Sequence, residues 1–371
     1  MGLNVTLLEP YYGGSHQRWA DGYQQHTQHH ITLLTLPAQA WKWRMQGGAV
    51  SLARLFNESG AQPDVILASD MMNLATFRTL TRARTHSIPH ALYFHENQLT
   101  YPQNSRQGHG WRYGFINYVS ALSADRVLFN SQYHLDTFFE ALPKMLKHFY
   151  DFNELDTVAE LRQRSAVLPL GMNLRRFDAF HVVKSPGAPP LILWNHRWEE
   201  DKNPAAFLRL LRQLAERNVA FQVALLGERV RHFTPEFERT RDQLGERVVQ
   251  FGYADDFAAY ARWLWQADYV VSTAHQEFFG GAIAEAIYCG CIPLLPKRLN
   301  YPYLIPVSAY DACLYRAEAD LLPLMLSHLS SEVMVDSSAL RDHIAAYDWG
   351  LIAPRYDDTL TRLAQDARLA G

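Results

Sequence analysis

184-KSPGAPPLILWNHRWEEDKNP-204 is where the chain stops one fold and starts another. Residues 184–190 are Pro/Gly-rich and read as a linker. "LILWNHR" (191–197) is then a near-continuous apolar run that ends on Arg197, the pattern of a strand buried on both faces. Lys202 follows five residues on, and Asn203-Pro204 opens a helix. Linker, strand, loop and helix in this order restart an α/β pattern halfway along the sequence.

The same pattern runs in both directions from this point. Upstream, "NVTLLEP" (4–10), "ITLLTLP" (31–37), "DVILAS" (64–69), "HALYFHE" (90–96) and "DRVLFNS" (125–131) read as buried strands, with helical stretches such as 70–84 and 132–147 between them. Downstream, "FQVALLG" (221–227), "VVQFGY" (248–253), "DYVVSTA" (268–274) and "CIPLLP" (291–296) continue the second series. Apolar strands alternating with helices predict a parallel sheet covered on both faces. Two series predict an α/β protein of two doubly wound, Rossmann-like domains, with ligands at the carboxyl ends of the strands in a deep interdomain cleft. The expected domains are 1–183, 184–346 and a terminal segment, 347–371. In that segment Trp349, Ile352, Tyr356, Leu360 and Leu363 fall on one side of a helix that need not belong to the second domain.

Composition narrows the function class. The chain has 371 residues, 48% hydrophobic and 20% charged, which suits two ordinary domains with ample core. No apolar run is long enough to span a bilayer. "MGLNVTLLEPYYGG" lacks a basic n-region and a cleavage pattern and reads as a first strand, so a cytoplasmic location is expected. Three cysteines, Cys289, Cys291 and Cys313, are too few for a disulfide framework. Cys289-Gly-Cys291 has no partner cluster at ligand spacing, and reads as small residues at a helix-to-strand junction. The net charge is −3, but residues 1–177 hold 16 Lys and Arg against 13 acids, and the remainder 19 against 25. Arg78, Arg82, Arg84, Arg106 and Arg112 share a stretch with one acid, Glu96. That stretch is either a solvated face or a surface for a polyanion.

Residues with chemistry follow strands. Arg197 and Lys202 suit a diphosphate, although Glu199, Glu200 and Asp201 offer them local salt bridges. In "HQEFFGGAIAEAIYCG" (275–290), Glu277 lies on a loop, Gly280 and Gly281 make a hinge, and a helix from about Ala282 carries Glu285. The helix N-terminus then lies between two carboxylates, a place suited to phosphate. "YYGGSHQRW" has Gly13-Gly14 after the first strand, with a helix expected from Ser15. It is an ordinary tight turn or a close approach of backbone to ligand, and its spacing is not that of a dinucleotide fingerprint. His95 in "YFHEN" is a structural residue or a ligand contact. It is not a zinc-protease histidine, because position 99 is Leu99. "AWKWRM" (40–45) sets Trp41 and Trp43 among Lys42 and Arg44, as a base-stacking platform or an amphipathic lid.

Arg197-x4-Lys202, Glu277-x7-Glu285, "GCIPLLP" and the Trp349 helix resemble the retaining GT-B glycosyltransferases of family 4. "YYGGSH", "LPAQAWKWR", "LYFHENQLTYP", "NHRWEEDKNP" and "HQEFFGGAIAEAIYCGCIPLLPKRLNYP" are similar, over nearly the whole chain, to the tRNA-queuosine α-mannosyltransferase family of glycosyltransferase-like proteins. The resemblance implies a hexosyltransferase that moves mannose from GDP-mannose to queuosine in tRNA(Asp). It implies no metal and no cofactor, no membrane anchor and no obligate protein partner. Arg197 and Lys202 are then expected to hold the donor diphosphate, Glu285 the ribose hydroxyls, and Glu277 the sugar beside the backbone of Phe279, Gly280 and Gly281. Gly13 and Gly14 are expected near the diphosphate and His95 at the transferring sugar. Gly252, Tyr253, Ala254 and Asp255 are expected near the base. Trp41, Lys42, Trp43, Arg44, Arg78, Arg82, Arg84, Arg106 and Arg112 are the candidates for tRNA. The chain departs from many family-4 enzymes at Gly227-Glu228-Arg229, where they have Gly-x-Gly. Two other readings remain at this point: a family-4 enzyme with a lipid, polysaccharide or small-glycoside acceptor, and a non-catalytic nucleotide-sugar or RNA binder.

Overall fold

A computed structural model of the chain describes residues 2–101, 110–184, 187–227 and 234–370. Two compact units emerge, residues 1–172 with 349–371, and residues 173–348. The break therefore falls before the Pro/Gly-rich linker. Two contacts tie the intervening segment to the second unit. The Asp348 carboxylate accepts from the backbone N–H groups of Leu174 and Arg175, and Trp265 Nε1 donates to the Phe177 carbonyl at 2.8 Å.

The first unit holds a six-stranded parallel sheet: β1 (Asn4–Tyr12), β2 (His30–Pro37), β3 (Val65–Ser69), β4 (His90–Phe94), β5 (Arg126–Phe129) and β6 (Ser165–Val167), in the order β2-β1-β3-β4-β5-β6. The second sheet is built from β7 (Leu191–Trp194), β8 (Gln222–Leu225), β9 (Val248–Phe251), β10 (Tyr269–Val271), β11 (Ile292–Pro296) and β12 (Leu314–Tyr315), in the order β12-β11-β10-β7-β8-β9. The sixth strand of each sheet, β6 or β12, is an edge strand of three or two residues, and no long apolar run announces it. Each sheet reverses its winding direction once, between β1 and β3 and between β7 and β10. In open α/β sheets ligands collect outside the carboxyl ends of such strands.

Alternation along the strands divides the first unit's core. Ile66, Ala68, Leu92 and Phe94 join one apolar cluster with Phe56, Phe77 and Phe138 from helices on that face. Val65, Leu67, Ala91 and Tyr93 join another with Trp19, Tyr23 and the terminal helix Trp349–Ala370. Trp349, Ile352, Tyr356 and Leu360 are buried there, as the helical spacing predicts, while Leu363 is partly buried. Trp349 needs glycines opposite it. A Cβ on Gly22 would lie 2.0 Å from its Nε1, and one on Gly171 2.4 Å from its ring. The Tyr356 hydroxyl accepts from Trp19 Nε1 at 3.2 Å and lies 2.9 Å from the Tyr93 hydroxyl, so the helix also makes buried polar contacts with the unit. Among the described residues no helix is long and apolar enough to cross a membrane.

Candidate functional site

In the second unit the loops after β7 and β10 are laced together by backbone bonds. His275 N–H donates to the Asp201 carbonyl at 2.7 Å, and the Thr273 hydroxyl lies 3.0 Å from the Lys202 carbonyl and 2.8 Å from that of Asn203. Asn203 takes a left-handed conformation, φ 48°, between the turn Glu200–Lys202 and the helix Pro204–Glu216. This lacing brings Lys202 Nζ to the Gln276 carbonyl at 2.9 Å, to Asp201 Oδ2 at 3.0 Å and to Glu277 Oε2 at 3.4 Å. Burial opposes charge on Lys202. The Glu277 and Asp201 carboxylates outweigh it and hold the amine above its ordinary range. A buried, permanently charged ammonium thus stands between the two loops.

Gly280 forms the expected hinge, and the helix after it begins one residue earlier than expected, at Gly281. Gly280 has φ 96°, and a Cβ there would lie 2.8 Å from Leu304 Cδ1. The helix it caps runs Gly281–Tyr288. Asn300 Nδ2 holds the Phe279 carbonyl at 2.8 Å, and Asn195 Nδ2, just past β7, holds that of Ala282 at 2.7 Å. On that helix Glu285 Oε2 accepts from the Tyr260 hydroxyl at 2.7 Å. Glu277 precedes the helix start and Glu285 lies within the helix, as the sequence spacing indicates.

Arg197 is more exposed than Lys202 and pairs with Glu199 at 3.2 Å. The local salt bridges weighed against the diphosphate reading therefore form, Arg197 with Glu199 and Lys202 with Asp201. His196, just before Arg197, is buried. Burial first, then the Lys202 and Arg197 charges, lower it to about 3. Gly227 packs on the His196 carbonyl so closely that a Cβ would lie 1.9 Å from it. This gives Gly227 a structural reason, while Glu228 and Arg229 lie outside the described residues. Gly252 has φ 102° and donates its N–H to Leu225, Tyr253 is exposed, Ala254 is buried, Asp255 is exposed, and Asp256 caps the helix Phe257–Gln266.

The first unit gathers a different set. His95 follows β4, its N–H donating to Asp70 Oδ1 and its carbonyl accepting from Asn130 Nδ2, both at 2.8 Å. Its ring is boxed by Trp19, Tyr93 and His16, with centroids 4.6, 4.9 and 4.2 Å away. Burial, then the charges of His16 and His134, lower its pKa well below the histidine range. Its Nε2 is buried and has no hydrogen-bond partner among the described residues. Gly13 is extended and a Cβ there would lie 2.5 Å from Ala38 Cβ. Gly14, at φ 56°, begins the helix Gly14–His26, one residue ahead of the expected Ser15.

Sequence reasoning missed the company His95 keeps. His16 Nδ1 lies 3.1 Å from Oε2 of Glu9, whose other oxygen accepts from Tyr11 N–H at 2.8 Å. Ligating atoms of Glu9, His16 and His95 all lie within 4.8 Å of one another. The available signal was an acid inside an otherwise apolar strand, at position 9. Tyr260 was missed too, because nothing in a helix sequence announces a partner 25 residues away.

The tRNA candidates separate by role. Trp41 begins the helix Trp41–Glu58 and packs on Tyr113 at 5.1 Å, with the Lys42 ammonium 5.7 Å from its ring. Trp43 is 61% exposed, its ring lying along Gly47. Arg44 donates to the Pro37 carbonyl and Arg112 to Gln46 Oε1. Arg78 binds the Ser123 carbonyl and Asp125, and Arg84 binds the carbonyls of Phe56 and Ala61. Arg82 is exposed, and Arg106 lies outside the described residues.

Residues 4–172 match the family described as tRNA-queuosine alpha-mannosyltransferase N-terminal, and residues 176–305 match glycosyl transferases group 1. The chain is 35% identical over 311 residues to a tRNA-queuosine alpha-mannosyltransferase of Drosophila melanogaster, covering 82% of both chains. It is 24% identical over 216 residues to a GDP-mannose:cellobiosyl-diphosphopolyprenol alpha-mannosyltransferase of Xanthomonas oryzae, covering 56% of this chain and 55% of that one. Among solved structures it resembles the catalytic domain of starch synthase IV from Arabidopsis thaliana bound to ADP and acarbose, with 14% identity, TM-score 0.73, and 98% and 100% of the two chains covered. A glycosyltransferase from Rickettsia africae gives 14% identity and TM-score 0.67 over 98% of each chain. These structural likenesses are of fold, the GT-B architecture of two parallel-sheet units.

Proposed function

Because the chain belongs to the tRNA-queuosine alpha-mannosyltransferase family, we propose that it transfers mannose from GDP-mannose to the queuosine of tRNA(Asp), with retention at the anomeric carbon. The observation that carries the acceptor is the match of residues 4–172 to the N-terminal family, since the group-1 match alone fits many acceptors. The donor rests on a relative whose name includes GDP-mannose. A cytoplasmic location, where tRNA is found, goes with this reading.

The chemistry follows from the second unit. Glycosyl transfer passes through an oxocarbenium-like state while a nucleoside diphosphate leaves with growing negative charge. Lys202 is assigned to that charge, because two carboxylates keep it cationic and three oxygens fix its ammonium. Arg197 is assigned beside it, together with the N–H groups at the start of Gly281–Tyr288. Glu285, oriented by Tyr260, is assigned to the ribose hydroxyls, and Glu277 and the Phe279–Gly281 backbone to the sugar. The backbone of Gly13 and Gly14 is assigned to the diphosphate, and residues 252–255 to the base. His95 is assigned to the transferring sugar. This reading gives the leaving charge to protein cations and needs no metal, so activity is expected to survive chelators.

The test is mass spectrometry of nucleosides from queuosine-containing tRNA incubated with the protein and a panel of nucleotide sugars. Mannosyl-queuosine formed only with GDP-mannose supports the proposal. Transfer to a polyprenyl diphosphate glycoside or a free glycoside, and never to queuosine, overturns the acceptor. Binding of GDP-mannose with neither transfer nor hydrolysis overturns the enzyme reading.

A further inference from the structure

In the first unit the Glu9–His16 contact abuts His95, and His16 follows the Gly13-Gly14 turn by two residues. Glu9 is fully buried in β1, and a carboxylate placed there needs a compensating partner. Its two oxygens are used, one by Tyr11 N–H at 2.8 Å and the other by His16 Nδ1 at 3.1 Å. The His16 ring meets His95, centroid to centroid at 4.2 Å, and Tyr11 edge-on at 5.9 Å, while Trp19 packs against His95 at 4.6 Å. We propose that Glu9 and His16 are a positioning pair for His95: the carboxylate holds His16 as an imidazolium, and that cation keeps His95 neutral and its ring fixed.

The electrostatics agree with the geometry. Burial opposes charge on His16, and Glu9, helped by Asp70 and Glu96, overcomes it and raises the imidazole to about 9. Two imidazolium ions cannot share a 4.2 Å contact in a buried site, so the charged His16 forbids a charge on His95. Around the pair, Glu96 adds negative charge, burial pushes the Asp70 carboxyl up to about 8 and the Tyr93 hydroxyl well above its ordinary range, and burial keeps His134 neutral. A neutral His95 can accept or donate one hydrogen bond at Nε2, the atom with no partner among the described residues. The pair thus acts through His95 and touches no substrate itself.

The proposal rests on the transferase reading through the role given to His95, and its test has one arm that does not. In the first arm, imidazole resonances of the labelled full-length protein are titrated by NMR. A signal with a midpoint near 9 is expected, absent in His16→Gln and shifted below 7 in Glu9→Gln. No imidazole titrating above pH 8 overturns the proposal, whatever the activity. In the second arm, Glu9→Gln should lower kcat by roughly 10- to 100-fold, the loss expected when a reacting group is misplaced, with donor KM little changed. Glu9→Asp should recover most of that loss. The activity of the unaltered protein should fall as pH rises through about 9, and in Glu9→Gln this fall should move to lower pH. Equal losses of kcat, donor affinity and melting temperature with an unmoved pH profile mean a merely structural contact and overturn the proposal. Stoichiometric zinc in the purified protein, lost in His95→Ala, also overturns it, because Glu9, His16 and His95 would then be metal ligands. If the unaltered protein transfers no sugar but the NMR signal behaves as stated, the transferase reading has failed and the ion pair stands.

Discussion

Lys202 and Glu277 stand on different loops, 75 residues apart in sequence, and meet at 3.4 Å in a partly buried contact. The pairing ties the cation assigned to the diphosphate to the carboxylate assigned to the sugar. Removing Lys202 leaves both Glu277 and Asp201 short of this partner, whereas removing Glu277 leaves Lys202 with Asp201 and the Gln276 carbonyl.

Lys202→Met therefore has two expected effects. Turnover should fall by roughly 100-fold or more, since a preorganised charge stabiliser is gone. Stability should drop by about 3 kcal/mol, because Asp201 and Glu277 keep charges in a nearly buried place. Arg197→Ala should share the first effect and not the second, its guanidinium being more than half exposed. Urea melts and steady-state kinetics on both variants check this. Similar stability losses in the two would refute the distinction.

Tyr260→Phe separates the two glutamates. It removes the 2.7 Å bond to Glu285 and the 3.4 Å contact from Asn195 Nδ2. GDP affinity should weaken about 5-fold, the worth of one ordinary hydrogen bond. Glu285→Ala should weaken it further, while Glu277→Ala should harm sugar selection more than GDP binding. Calorimetry with GDP decides: equal losses for Glu277→Ala and Glu285→Ala contradict the division of labour.

Ten of the twelve strands among the described residues were legible because a buried parallel strand is largely apolar along its length, as "HALYF" and "VILAS" are. β6 and β12 were not, since an edge strand of two or three residues carries too little pattern. At the site, the glycine hinge and the two glutamates could be read from spacing, because a short helix start is a local event. The Lys202–Gln276 lacing, the Tyr260–Glu285 bond and the Glu9–His16–His95 contact could not. Each joins segments that only the sheet order brings together. Arg84 shows the same limit: the sequence shows a cation, but not the two carbonyls of Phe56 and Ala61 that it binds.

Three buried histidines make acid sensitivity predictable in sign. Burial lowers His90 to about 4 and His134 and His196 to about 3, with Arg78 assisting at His90 and Lys202 and Arg197 at His196. The unfolded chain binds these protons near pH 6.5, before the folded one does. Their contribution to stability is therefore complete above pH 6.5. It is lost as pH falls from there through about 4 and then 3. In His134→Gln, stability should fall less steeply over this window, by at most about 1.4 kcal/mol per pH unit. Urea midpoints measured between pH 7 and 4 test the slope, whatever the variant's stability at pH 7. An unchanged slope would remove His134 from the account.

The cations of the first unit should divide in the same way as their contacts. Arg84 is spent on two carbonyls and lies 4.5 Å over the Phe56 ring, so Arg84→Ala should cost about 2 kcal/mol of stability and leave tRNA affinity nearly intact. Lys42 and Arg82 are exposed, and Trp43 beside Lys42 presents an indole that can stack on a base. The double reversal Lys42→Glu with Arg82→Glu should leave the melting temperature and GDP-mannose hydrolysis unchanged and raise the KM for tRNA. If both side chains meet phosphates, the slope of log K against log salt should become shallower by about 1.4 to 1.8. Filter binding across a salt series measures that slope directly. A double reversal that changes neither the slope nor the KM would move the tRNA surface elsewhere, and an Arg84→Ala protein that keeps its stability but loses tRNA would return Arg84 to the candidates.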